Sequence, residues 1–163
     1  MMEVANLDEG SGELQLVVFR LGREEYGIDI TRVREIIRVT EITRIPNSPP
    51  FIEGVINLRG QITTVMDLRK KLGVKAENTE QTRIMIVELS DSTTIGMIVD
   101  AVTEVMRLPK KDIEFSLTLT TEDAEYIYGV GKIKDRLLIL IDVDKLVPRN
   151  EREIGAETAQ ATA

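Results

Sequence analysis

The sequence predicts an all-β fold, mainly strand with short helices, organised as two similar β subdomains. Three observations carry this: apolar runs with the strand period or with no polar break, a hairpin signature around Arg59-Gly60, and a second occurrence of that hairpin later in the chain. From Ile52 to Leu68, two runs rich in Val, Ile and Leu flank Arg59-Gly60, and Gly60 can supply the positive φ that a tight hairpin turn requires. The second run alternates, with Ile62, Thr64, Met66 and Leu68 on one face and Thr63, Val65 and Asp67 on the other. Arg59 is thereby placed at a hairpin tip, in water. The same layout returns from Ile127 to Val143, displaced by 75 positions, and an upstream block, Gly27 to Val39, returns from Gly96 to Leu108, displaced by 69. Both displacements exceed ordinary solenoid periods and there are only two copies, so a stacked array is not expected.

Taken in order, residues 1–13 carry Glu3, Asp8, Glu9 and Gly10-Ser11-Gly12 without periodicity and read as a flexible tail. Leu14 to Leu21 is almost continuously apolar, as a strand buried on both faces should be. Gly22 ends it, and a short strand spans Glu25 to Asp29. Ile30, Val33 and Ile37 then suggest one or two helical turns with an apolar stripe, before a strand near Ile36 to Val39. Pro46, Pro49 and Pro50 make a rigid entry into the first hairpin. A helical turn over Arg69 to Leu72 closes at Gly73, and the polar stretch 74–82 is read as the boundary between subdomains within a domain spanning 14–147. Strands at Arg83 to Leu89 and Thr94 to Val99 bracket the turn Asp91-Ser92-Thr93. Lys110 to Glu125 reads as a loop, and residues 148–163 as a frayed helix or disordered tail.

Composition narrows the function classes. A chain of 163 residues can bury a sizeable core. The absence of Cys points to a reducing compartment, and the acidic start and lack of a long apolar run to the cytoplasm, with no membrane insertion. The formal net charge of −7 argues against a nucleic-acid binder. There is no His and no phosphate-binding loop signature, and no carboxylate, Ser or Lys cluster at a catalytic spacing, so the chain is not expected to be an enzyme. Asp29, Asp67, Asp100 and Asp142 stand singly in or beside strands rather than in a Ca²⁺-loop pattern. Asp67 and Asp142, at matched strand ends, are expected to accept local backbone hydrogen bonds, with no metal and no cofactor.

Tyr26-Gly27-Ile28-Asp29, Val33-Arg34-Glu35-Ile36, the octet Glu53-Gly54-Val55-Ile56-Asn57-Leu58-Arg59-Gly60 and the late strand from Leu137 to Leu146 occur in that order, and together they resemble the CheW family of chemotaxis coupling proteins. The resemblance runs from about Leu14 to Leu146, nearly a whole domain. It implies two SH3-like five-stranded β-barrels on a shared apolar core. It also implies an adaptor that joins the cytoplasmic tip of chemoreceptors (methyl-accepting chemotaxis proteins) to the regulatory domain of the histidine kinase CheA, in receptor arrays at the inner face of the membrane.

Family resemblance pairs Glu35 with Arg59 at a surface that receptors approach, and adds Val33 and Val105 along a groove between the subdomains. Taken alone, each charge is a solvated surface residue and each valine a core residue. Glu104 matches Glu35, but Lys134 stands where Arg59 stands in the first copy and lacks its planar fork, so the first copy is the stronger candidate. Gly54 and Asn57 are carried over as kinase-facing. Two other readings fit the residues: a scaffold of the same family in a non-flagellar receptor pathway, or a small β-barrel that binds a ligand or nucleic acid.

Overall fold

The computed structural model describes residues 12–115 and 125–147. Both expected tails and the core of the expected loop 110–125 lie mostly outside those residues. Among the described residues, eleven strands form two sheets. In chain order they are β1 (Glu13–Leu21), β2 (Glu24–Asp29), β3 (Val33–Arg38), β4 (Ile52–Leu58), β5 (Gln61–Asp67), β6 (Arg83–Glu88), β7 (Thr94–Val99), β8 (Ala101–Pro109), β9 (Ile113–Glu114), β10 (Ile127–Ile133) and β11 (Arg136–Ile141). One-turn helices α1 (Leu68–Lys71) and α2 (Val143–Leu146) follow β5 and β11. Ile30–Arg32 is a 3-10 turn rather than the longer amphipathic helix expected there, because β3 begins at Val33 and claims the remaining apolar positions for a strand. Lys110–Asp112 forms a second 3-10 turn, and β9 occupies part of the expected loop.

The six-stranded sheet has the order β8-β1-β2-β11-β10-β9 and the five-stranded sheet the order β3-β6-β7-β5-β4. The outer strands of the first, β8 and β9, are joined by the 3-10 turn; those of the second, β3 and β4, flank a segment whose Thr43 bridges Val55. The expected boundary at 74–82 needs correction. It separates the two sequence repeats, but it does not separate the sheets, because 74–82 connects α1 to β6 within reach of one sheet. The chain changes sheet at 29–33 and again at 99–101. Each sheet therefore borrows two strands: β1 and β2 from the first repeat join β8–β11, and β6 and β7 from the second join β3–β5. The junctions are the ladders β1–β8 and β3–β6 and the two parallel pairs, β2–β11 and β5–β7.

This exchange explains the unbroken apolar strands. In β1, Leu14, Leu16 and Val18 face the interior of the six-stranded sheet, while Val17, Phe19 and Leu21 face a core shared with the other sheet. In β6, Ile84 and Ile86 fill the five-stranded sheet, while Met85 and Val87 enter the shared core. A strand that supplies two cores can spare neither face to water. Met66, Met85 and Met97 are aligned at the centre of the shared core, all fully buried. No helix among the described residues is long and apolar enough to cross a membrane.

Residues 1–78 expressed alone should give no cooperative melt, since β1 and β2 then lack β8 and β11, and β3 and β5 lack β6 and β7. Full-length protein cleaved at a protease site inserted between Lys75 and Ala76 should elute as one particle on size exclusion and come apart only in denaturant. Halves that part spontaneously, or a folded first half, would contradict the exchanged topology.

Candidate functional site

The β4–β5 hairpin presents its tip through a tight turn in which Arg59 and Gly60 both take positive φ, 51° and 89°. Two positive φ values in succession match the twist of the flanking strands. Asn57 holds the turn: its Oδ1 accepts the Gly60 N–H at 2.7 Å. The exposed Arg59 guanidinium reaches back to β3, where Nη1 donates to Glu35 Oε1 at 3.2 Å and Nη2 donates to Glu35 Oε2, a bidentate pair. A register shift in the β3–β6 ladder between Val33 and Glu35 sets the position of Glu35. The hydrogen bond from Arg59 holds the Glu35 carboxyl below its ordinary range, and Arg59 is raised in turn by its bond to Glu35.

Val33 lies opposite Val87 and packs on the shared core, half-buried; Val105 lies opposite the core residue Val17 but is 59% exposed. Cross-strand partners project from the same face. Both valines therefore continue the faces that look toward the shared core, one at its edge and one in solvent. Ile36 and Ile62 are also exposed, one residue beyond Glu35 and one beyond Gln61, the first residue of β5.

Gly54 has a structural constraint of its own, whatever approaches it from outside the chain. It is buried at a register shift in the β4–β5 ladder, with φ of 147°, and a Cβ there would lie 2.0 Å from the Thr43 carbonyl oxygen. The segment before β4 thus crosses Gly54 in backbone contact, with Thr43 N and Val55 O also bonded at 2.9 Å.

The CheW-like domain profile matches residues 15–151 of this chain. The chemotaxis protein CheW of Klebsiella aerogenes is 37% identical over 168 aligned positions, covering 99% of each chain. That of Bacillus subtilis is 35% identical over 141 positions, covering 85% of this chain and 90% of its own. The crystal structure of the scaffolding protein TtCheW from Thermoanaerobacter tengcongensis superposes with a TM-score of 0.76 at 40% identity, covering 85% of this chain and 90% of that one. The chain belongs to the CheW family.

Within this CheW-family chain, two charged clusters escaped the sequence reading. Lys134, the counterpart of Arg59, does not hold Glu104; Arg136 does, with Nη2 2.8 Å from Glu104 Oε2, while its Nε and Nη2 grip Glu25 at 2.9 and 3.0 Å. The second repeat keeps a Glu–Arg contact but supplies the cation from β11. The other cluster is centred on Arg69, only 2% exposed. Its guanidinium pairs bidentately with Asp67 at 2.9 and 3.0 Å, reaches Asp100 Oδ1 at 3.1 Å, and donates to the Glu77 carbonyl and Asn78 Oδ1. Asp100 in turn accepts the Gly22 N–H at 2.7 Å, so the contact ties α1 of one sheet to the β1–β2 turn of the other.

A second tie has the opposite polarity. Asp144, displaced by 75 positions from Arg69, pairs with Arg32 at 3.1 Å and accepts the Ser90 N–H at 2.8 Å. Asp67 and Asp142 also accept the backbone N–H two residues on, the local role expected of them, and Asp29 does the same for Thr31.

Gly54→Ala should cost about 2–4 kcal/mol, from overlap with Thr43 and from strained φ, and be visible as a lowered midpoint in urea. Arg69→Ala should cost about 3–5 kcal/mol by stranding Asp67 and Asp100. A Gly54→Ala protein with wild-type stability would contradict the structural constraint at that residue.

Proposed function

We propose that this chain couples chemoreceptors to the histidine kinase CheA as a two-faced adaptor, with the hairpin tip of the five-stranded sheet as part of its receptor face. The observation that carries the reading is the bidentate Arg59–Glu35 pair, held out in solvent by an Asn57-capped turn beside exposed Ile36 and Ile62. A solvated ion pair contributes little to stability, so its fixed geometry serves recognition better than folding. Val33 and Val105 supply apolar surface that a receptor helix can cover. The regulatory domain of CheA engages a separate surface, for which Asn57, besides capping the turn, and the adjoining edge at Gly54 are the candidate contacts. Two simultaneous engagements raise the effective concentration of kinase at receptor, which is the work of an adaptor without bond chemistry. Its place of action is then the cytoplasmic face of receptor arrays.

Arg59→Ala should leave the urea midpoint essentially unchanged, while weakening capture by a receptor cytoplasmic fragment and leaving CheA binding unaltered. Glu35→Arg and Arg59→Glu should each impair receptor capture, and the double reversal should recover part of the loss. Wild-type receptor capture by both Arg59 variants would remove the hairpin tip from the receptor face.

The pair should also tolerate mild acid. Because the folded pKa of Glu35 is depressed, the interaction is fully present above the ordinary glutamate value of 4.5 and is lost only as pH falls through the lower folded value. Receptor capture that declines while pH is still above that value would show that Glu35 is not the titrating partner of Arg59.

A further inference from the structure

Three arginines gather at the seam between the sheets with no carboxylate among the described residues to receive them. Arg83, at the start of β6, lies directly opposite Arg38 of β3. Like charges in register across a ladder are destabilising, and a chain with more acidic than basic residues has carboxylates available to relieve them. None is used. Among the described residues, Arg83 Nη1 donates only to the carbonyls of Glu80 and Thr82, at 2.8 and 2.9 Å, and Arg20 Nη2 donates to Gln81 Oε1 at 3.3 Å. Arg38 forms no ion pair there either. Asp100 and Glu104, which flank the cleft residues Ala101 to Thr103, are already engaged, the first by Arg69 and the Gly22 N–H and the second by Arg136.

Arg20 and Arg83 line one cleft of about 370 Å³ together with Gln81, Ala101, Val102 and Thr103. The wall contains no acidic side chain. Its uncommitted polar groups are almost all donors: Nε and Nη2 of Arg83, Nε and Nη1 of Arg20, and the Gln81 amide nitrogen, whose oxygen is taken by Arg20. A guanidinium cannot accept a hydrogen bond or lose its proton in this setting. The ligand such a wall fits is therefore acceptor-only and negatively charged.

We infer that this cleft binds a small multivalent oxyanion of the phosphate type, held between Arg20 of the six-stranded sheet and Arg83 of the five-stranded sheet. Planar guanidinium forks match phosphoryl oxygens with paired, charge-assisted hydrogen bonds. Occupancy neutralises the Arg38–Arg83 repulsion and adds a bridge across the seam. The site is independent of the Arg59–Glu35 pair.

Isothermal titration calorimetry of the full-length protein with sodium pyrophosphate, at ionic strength held constant with NaCl, tests this. A saturable one-to-one isotherm is expected, with a rise in Tm at saturating pyrophosphate. Arg20→Gln and Arg83→Gln should each weaken binding at least about tenfold, or 1.4 kcal/mol, whereas Arg107→Gln, at an exposed position paired with Glu13, should bind as wild type does. Acetate at equal ionic strength should give no saturable heat. Arg83→Gln also loses two carbonyl contacts, so if it fails to fold, Arg20→Gln decides. Absence of a saturable isotherm, unchanged affinity in Arg20→Gln, or equal binding of acetate would overturn the site.

Discussion

Neither sheet can be completed from its own half of the chain, and the rest of the structure follows from that constraint. The first repeat gives β1 and β2 away and receives β6 and β7 in return, so each sheet holds two strands of one repeat between strands of the other. Strands at the junction must be apolar on both faces, one for the barrel interior and one for the core between barrels. Leu14 to Leu21 and Ile84 to Val87 meet that demand, and the three methionines aligned at the middle of the shared core supply shapes that adapt to two sheets at once.

Where the chain crosses between sheets, charge reinforces what apolar packing begins. Arg69 with Asp100, and Asp144 with Arg32, place opposite charges on a post-hairpin helix and a crossing segment, with polarity reversed between the copies. The first is buried and costs dearly to break; the second is partly exposed. Both end on the turn of an exchanged hairpin, at Gly22 and Ser90. The surface pairs diverged in a different way. Arg59 stands alone on Glu35 at a hairpin tip, whereas Arg136 is shared by Glu25 and Glu104 and is less free to meet a partner. A duplicated fold has thereby acquired two unlike faces, which an adaptor with two unlike partners requires.

Local features were legible in the sequence. Alternation in Ile62 to Leu68 and the Gly at the turn place the first hairpin, and the repeat places the second, because periodicity reports which face a residue occupies. It does not report which strand lies alongside. The exchange depends on ladders between residues far apart in the chain, such as Thr64 with Ile95 and Leu138 with Glu25, and no local pattern encodes them. The same limit hid Arg69, which reads as the first of three basic residues on a surface turn until Asp100 is brought to it. Gly54 reads as a partner's approach; within the chain, the backbone that approaches it is that of Thr43. Glu35 and Arg59 were paired correctly because the family pattern, not their spacing, joins them.

An adaptor transmits through its own frame only if both barrels move as one body, and the exchange of strands makes them one. Native-state hydrogen exchange across a low-denaturant series measures this directly. Amides of β1 in the six-stranded sheet and of β6 in the five-stranded sheet should converge on one opening free energy and one denaturant slope, equal to those of global unfolding. Convergence of the two sheets on separate free energies, with one opening while the other stays protected, would contradict it.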